Sequence, residues 1–232
     1  MVLWLSANGV LLICAYLLGS TPTGYWLGLG LQGTDIRQQG SGSTGATNVL
    51  RVLGKGPAAL TLAIDILKAV AAILLVRGCY ALDAIASWVP TSVNPESWLP
   101  WMVTLAGIAA IFGHSQSIWL ILSTKDAELT RGGKSVASAL GVLLAMAWPV
   151  GLGALGVFAI VLAISRIVSL SSMLAAIGVF AFMLLTHQPF AYCLFGVAAA
   201  VYIIFRHRAN IQRLLDGTEP RLGQKLAGSA DS

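Results

Sequence analysis

Long apolar runs alternate with short polar segments along the whole chain. The runs cover about residues 2–31, 57–76, 98–122, 136–149, 150–164, 169–185 and 190–205. A helix needs about 20 apolar residues to cross the hydrocarbon layer, and most of these runs approach that length. The pattern therefore predicts an all-α integral membrane protein, a bundle of about seven transmembrane helices. Pro149 with Gly151 and Gly153 predicts a tight turn between two antiparallel spans, and His187-Gln188-Pro189 another between the last two. Gly24 and Gly28, spaced as GxxxG, predict that a neighbouring helix closely approaches the first span. No Lys or Arg precedes Arg37, so the first run lacks the positive flank of a cleavable signal and is too long for one.

Composition agrees. Of 232 residues 57% are hydrophobic and 10% charged, with mean hydropathy +0.82; soluble domains carry roughly 25% charged residues. Seven spans leave little chain for anything else. One transmembrane domain over residues 1–222 is expected, followed by a flexible polar tail at 223–232. Cys14, Cys79 and Cys193 lie in or beside apolar runs without metal-ligand spacing and read as small buried hydrophobes. His114, His187 and His207 have no ligand-spaced partners, so neither a metal nor another cofactor is expected.

Charge sets the orientation. All basic residues but Lys68 and Arg77 fall in alternate polar segments, on one face of a seven-span bundle. Residues 78–97 carry Asp83 and Glu96 and no basic residue, with Trp88, Trp98 and Trp101 as an aromatic belt. The positive-inside rule then puts the N-terminus outside and the C-terminus in the cytoplasm.

The polar motifs gather on that cytoplasmic face. Gly40-Ser41-Gly42-Ser43-Thr44-Gly45-Ala46-Thr47-Asn48, followed by Arg51, offers backbone N–H groups, hydroxyls and a guanidinium suited to phosphate. A plain glycine-rich linker is the alternative. Gly40, Gly42 and Gly45 fit the dinucleotide pattern, as do Gly28, Gly30 and Gly33, but both follow membrane helices rather than strands. Arg131-Gly132-Gly133-Lys134-Ser135 looks like the end of a nucleotide-binding loop, yet Glu128 occupies the earlier glycine position. What survives is a backbone nest and a lysine at a helix start, reading either as an anion site or as a headgroup anchor. In His207-Arg208-Ala209-Asn210, helical spacing puts His207 and Asn210 on one face, where a basic lipid-binding tail would need neither. Asp65 and Lys68 are expected to pair within a span, and Ser169 follows Arg166 at another cytoplasmic end.

Taken together and in this order, the segments around residues 40–51, 113–134 and 207–219 resemble the bacterial membrane acyl-phosphate:glycerol-3-phosphate acyltransferases, from about Leu11 to Leu222. The resemblance implies a seven-helix bundle with its site at the cytoplasmic membrane face, in the cell's inner (cytoplasmic) membrane. It implies transfer of a fatty acyl group from acyl phosphate to the 1-hydroxyl of sn-glycerol 3-phosphate, giving lysophosphatidic acid and phosphate. It also implies that neither acyl-CoA nor acyl-carrier protein serves as donor. Expected partners are acyl phosphate, glycerol 3-phosphate, membrane lipid and the enzyme that forms acyl phosphate, with no nucleic acid. This chain departs from the family at Ser43 (usually Asn), at Ser117 (near the usual proline), at Ser135 (usually Gly) and in an added stretch, Ser123-Thr124-Lys125-Asp126-Ala127-Glu128.

The residues expected to carry the chemistry are His207, Asn210, Ser41 and Arg51. Those expected to bind substrate are Gly40, Gly42, Gly45, Thr47, Asn48, Gly132, Gly133, Lys134, Ser169 and Arg208. Two phosphate-bearing anions must be held together while negative charge grows, and these cations and donors suit that task. His207 reads equally as a general base or as a residue orienting phosphate with Asn210. A transporter of a small organic phosphate is the competing reading; it would place ionisable groups at mid-membrane and show internal repeats. A metal-dependent phosphatidyltransferase would need clustered Asp residues, which the scattered acidic residues do not supply.

Overall fold

The computed structural model describes residues 1–82 and 87–224. Asp83, Lys225 and most of the expected polar tail lie outside the described residues. Among those described, the chain is helical without strands: α1 (Val2–Ser20), α2 (Thr23–Gln32), α3 (Ala46–Val52), α4 (Lys55–Ala81), α5 (Pro95–Ser115), α6 (Ile118–Ser123), α7 (Val136–Met146), α8 (Trp148–Ser165), α9 (Val168–Leu185), α10 (Phe190–Arg206) and α11 (Arg208–Leu215). Five helical stretches are long and apolar enough to cross a membrane, and α10 with α11 makes a sixth if the 60° bend between them lies within one span.

The fourth apolar run is α7, and at 11 residues it reaches only about 16 Å. That shortness creates the site. The Ser138 hydroxyl donates to the Asp65 carbonyl at 3.2 Å, and the Arg77 guanidinium donates to the Met146 carbonyl at 2.8 Å. So α7 flanks the later part of α4, from about Asp65 onward. The first turns of α4, roughly 15 Å of its length, lie beside α3 instead. Polar segments gather in the space so left.

Three sequence expectations are corrected. The first run breaks at Ser20-Thr21-Pro22, because the residue before a proline is driven from helical to extended geometry. The turn expected at Pro149 falls earlier, at Ala147. Proline, with its fixed φ and missing N–H, suits the first turn of α8, while Gly151 and Gly153 pack inside that helix against Leu144 and Phe182. Gly24 and Gly28 do admit a close approach, but what approaches is the polar segment after α2. A methyl on Gly24 would lie 2.2 Å from the Thr44 carbonyl, and one on Gly28 2.7 Å from that of Thr34.

The turn at His187 to Pro189 stands where expected, between α9 and α10. Small residues let the spans approach closely: Ala15, Ala69, Ala72, Ala106 and Ala110 are fully buried. The break after α1 is held by Lys68, whose ammonium donates to the Thr21 carbonyl at 2.7 Å. It also pairs with Asp65 at 2.7 Å, as expected from the spacing, and lies 2.9 Å from His114 Nδ1.

Candidate active site

The segment between α2 and α3 folds around one buried side chain. Asn48, 1% exposed, accepts the Ser41 N–H at 2.8 Å and donates to the Ile36 and Gln39 carbonyls at 3.0 and 3.1 Å. Gly40 has φ +60°, and a methyl there would fall 2.3 Å from the Asn48 amide oxygen, so glycine is required on both counts. Folded this way, the segment turns Ser41, Gly45, Thr47, Asn48 and Arg51 toward a cavity of about 530 Å³. Gly40 and Gly42 shape the loop and do not line it.

The second motif enters differently from expectation. The N–H groups of Gly132 and Gly133 donate to the Ser115 and His114 carbonyls at 3.0 and 3.3 Å, and neither residue lines the cavity. Their missing side chains make room: a methyl on Gly133 would lie 2.0 Å from His114 Nε2, and one on Gly132 would lie 2.3 Å from the His114 carbonyl. The nest is thus occupied by protein, and the donors facing the cavity come one step later. Lys134, Ser135, Val136 and Ala137 line it, where the first N–H groups of α7 have no intrahelical acceptor.

The third motif supplies the opposite wall. His207 and Asn210, 3% and 5% exposed, stand at the bend between α10 and α11 and face the cavity together. His207 Nδ1 lies 2.8 Å from the Ile203 carbonyl, which assigns the proton to that nitrogen. Burial, only partly countered by that carbonyl, pushes the imidazole down to about 4, so it is neutral at pH 7. Arg208 turns away, exposed, with its guanidinium 5.2 Å from the Phe205 ring.

Glu219 ties the wall together, a role that sequence spacing did not reveal. Its carboxylate accepts from Ser169 at 2.7 Å, from Asn210 at 2.6 Å and from Arg213 at 2.7 Å. Burial alone would raise this carboxyl, but the three donors hold it below the usual range. Asn210 in turn accepts from the Lys134 ammonium. Burial first, then Arg213, Arg51 and Arg206 against the single opposing Glu219, push Lys134 down to about 8. Cations therefore outnumber the carboxylate here, which is the electrostatic signature of an anion site. Asp65 and His114 also line the cavity, and Asp65 keeps the Lys68 partner that its spacing predicts.

Beyond this polar end the cavity continues between α7, α8, α9 and α10, walled by Leu140, Leu144, Phe158, Ala176 and Ala199. The cations and N–H donors of the polar end thus open onto an apolar channel.

The glycerol-3-phosphate acyltransferase family profile matches residues 9–217. The chain belongs to the glycerol-3-phosphate acyltransferase family. It is 56% identical over 232 residues to the glycerol-3-phosphate acyltransferase of Acaryochloris marina, covering 100% of both chains. With that of Trichormus variabilis it shares 58% over 226 residues, 97% of this chain and 96% of the relative. The fold is similar to a crystal structure of PlsY, an integral membrane glycerol 3-phosphate acyltransferase in its glycerol 3-phosphate form, with TM-score 0.78 and 34% identity over 94% of this chain and 96% of that one. It is also similar to the lysophosphatidic acid form, with TM-score 0.75 and 33% identity over 94% and 96% of the two chains.

In this glycerol-3-phosphate acyltransferase the departures from the family pattern have local partners. The Ser43 hydroxyl accepts the Gly45 N–H at 3.3 Å, that of Ser117 donates to the Ser20 carbonyl, and that of Ser135 donates to the Ile111 carbonyl at 2.8 Å. The added stretch after α6 is pinned by Arg37, which reaches the Ser123 hydroxyl and the Leu129 carbonyl while paired to Asp35.

Proposed function

We propose that this multi-pass membrane acyltransferase takes its acyl group from acyl phosphate and delivers it to the 1-hydroxyl of sn-glycerol 3-phosphate. The observation that carries the reading is the joining of a cation-rich polar end to a deep apolar channel in one cavity. In this scheme the acyl tail lies in the channel, and both phosphates lie among Ser41, Thr47, Arg51, Lys134 and the first N–H groups of α7. The hydroxyl oxygen attacks the acyl carbonyl carbon, the bond from that carbon to the phosphate oxygen breaks, and inorganic phosphate leaves with lysophosphatidic acid as the other product. Phosphate is already a good leaving group, so positioning and charge stabilisation suffice and no covalent enzyme intermediate is needed. The hydroxyl proton passes to a phosphate dianion, whose second pKa is about 6, in preference to His207 at about 4. Asn210 aims the Lys134 ammonium at the phosphate, the His207 Nε2 lone pair accepts from the 2-hydroxyl of glycerol 3-phosphate, and Ser41 and Arg51 steady the reacting groups. The donor must come from an enzyme that makes acyl phosphate, and the product enters membrane lipid.

The test is phosphate release by detergent-purified protein given palmitoyl phosphate and glycerol 3-phosphate. Release should depend on both substrates and yield lysophosphatidate. Activity with acyl-CoA but not palmitoyl phosphate would defeat the donor assignment, and glycerol 3-phosphate counterflow in vesicles without phosphate release would favour a transporter. Lys134 adds a pH signature. Above about 8 its cation is lost, so kcat/KM should fall on the alkaline side with an apparent pKa near that value. Arginine keeps its charge there, so the residual activity of Lys134→Arg should lose that limb; an unchanged limb would assign it to another group.

For orientation, one domain spanning the cytoplasmic membrane seven times is proposed, with the N-terminus outside and the site facing the cytoplasm. Clustering of the basic residues around the cavity end supports this. A cysteine at Ser97, with Cys14, Cys79 and Cys193 replaced, should be labelled by an impermeant thiol reagent applied to intact cells. Labelling only after lysis would invert the scheme.

A further inference from the structure

We infer that Phe195, set against Gly107 and beside Gly196, is the end stop that fixes how long an acyl chain this enzyme accepts; the inference rests on the acyl-transfer reading above. The channel has measurable walls. Along α9 its lining runs from Val168 to Val179, eleven residues or about 16 Å at 1.5 Å per residue. Along α10 it runs from His207 back to Phe195, twelve residues or about 18 Å. Past those two positions it closes. Met183 and Val150, both fully buried, belong to the continuous core and not to the lining.

Phe195 is itself fully buried at this closed end. Its ring occupies space that Gly107 of α5 leaves open: a methyl on Gly107 would lie 3.0 Å from Phe195 Cε2 and 2.8 Å from Val142 Cγ1. The ring therefore rests on the α5 backbone and has no room to retreat. Gly196, its neighbour, lines the channel, and a methyl there would lie 3.2 Å from Val179 Cγ1. At this level α9 and α10 lie too close to admit a methyl between them without displacing Val179, so the channel narrows here. An acyl chain entering from the polar end meets, in order, small alanines (Ala175, Ala176, Ala199, Ala200), then the Gly196 neck, then the Phe195 ring. Small residues along the way and an aromatic at the end give the channel a stop, whose position along the helices selects chain length.

The test is kcat/KM for lauroyl, myristoyl, palmitoyl, stearoyl and arachidoyl phosphates, measured for the unsubstituted enzyme and for Phe195→Leu and Gly196→Ala. Rejecting or admitting a methylene is worth roughly tenfold or more in a fitted apolar pocket. Phe195→Leu should raise the ratio of the longest donors to lauroyl phosphate by about that factor, and Gly196→Ala should lower it by a similar factor. The two variants push in opposite directions, so loss of fold in one leaves the other decisive. Equal scaling of all chain lengths in the folded variants would overturn the end stop while leaving the reaction intact. Failure of the unsubstituted enzyme to release phosphate from any acyl phosphate would instead defeat the reading on which the end stop rests.

Discussion

Lys134→Ala and Arg51→Ala should each lower kcat/KM for glycerol 3-phosphate acylation by roughly ten- to a hundredfold, with the folded protein still recoverable. A hydrogen bond to a charged group is worth about 1.5–3 kcal/mol, and each 1.36 kcal/mol or so is a factor of ten. Both cations line one cavity with two carboxylates: Glu219, which Ser169, Asn210 and Arg213 already engage, and Asp65, which pairs with Lys68. Neither cation is therefore needed to neutralise Glu219, and their charge is available to substrate phosphate. Arg51→Lys should rescue poorly, because the planar fork is lost while the charge remains. Lys134→Arg should rescue better at high pH than near neutrality, for the reason given above. Near-normal turnover in both alanine variants would make these residues headgroup anchors and remove the anion clamp from the mechanism.

Much of this arrangement was legible before the structure. The apolar runs correspond to α1 with α2, α4, α5 with α6, α7, α8, α9 and α10, because span length is set by the bilayer and shows in hydropathy alone. Gly40, Asn48, Arg51, Lys134 and Asn210 stood out as polar residues in an oily chain. Three features did not. Gly132 and Gly133 read as a phosphate nest, yet their N–H groups donate to the carbonyls of Ser115 and His114 at the far end of α5. No local pattern announces a partner nearly twenty positions away. Glu219 closes the third motif, but nothing in its spacing assigns it a role. Its burial is the signal in hindsight, since a buried carboxylate must be fully partnered. Asp65 paired with Lys68 as the i,i+3 spacing required, but exposure of its side to the cavity follows from the shortness of α7. A short apolar run reads in sequence as a span with vague ends; in space it is the opening that admits substrate.

Asn210→Ala and His207→Ala should separate positioning from proton transfer on the wall opposite Arg51. Asn210 bridges the Lys134 ammonium to Glu219, donating to the carboxylate at 2.6 Å. Its loss leaves buried charged groups short of partners, so a drop of about ten- to a hundredfold is expected, mostly in kcat, since the ammonium would no longer be fixed where charge develops. Asn210→Asp restores the acceptor for Lys134 but sets a second carboxylate beside Glu219, so it should rescue little. His207 has a different position in the argument. Its Nδ1–H donates to the Ile203 carbonyl, and burial pushes the ring down to about 4, so at pH 7 it offers an unprotonated Nε2 that can only accept. A base that weak is outcompeted by a phosphate dianion with a pKa of about 6. His207→Ala should therefore raise KM for glycerol 3-phosphate by up to about tenfold, the worth of a neutral hydrogen bond, with kcat changed far less. The acid limb of kcat should persist in the variant, because it belongs to the substrate's phosphate. A His207→Ala enzyme whose kcat collapses and whose acid limb disappears would make this imidazole the base after all, and the proton would then leave through the protein.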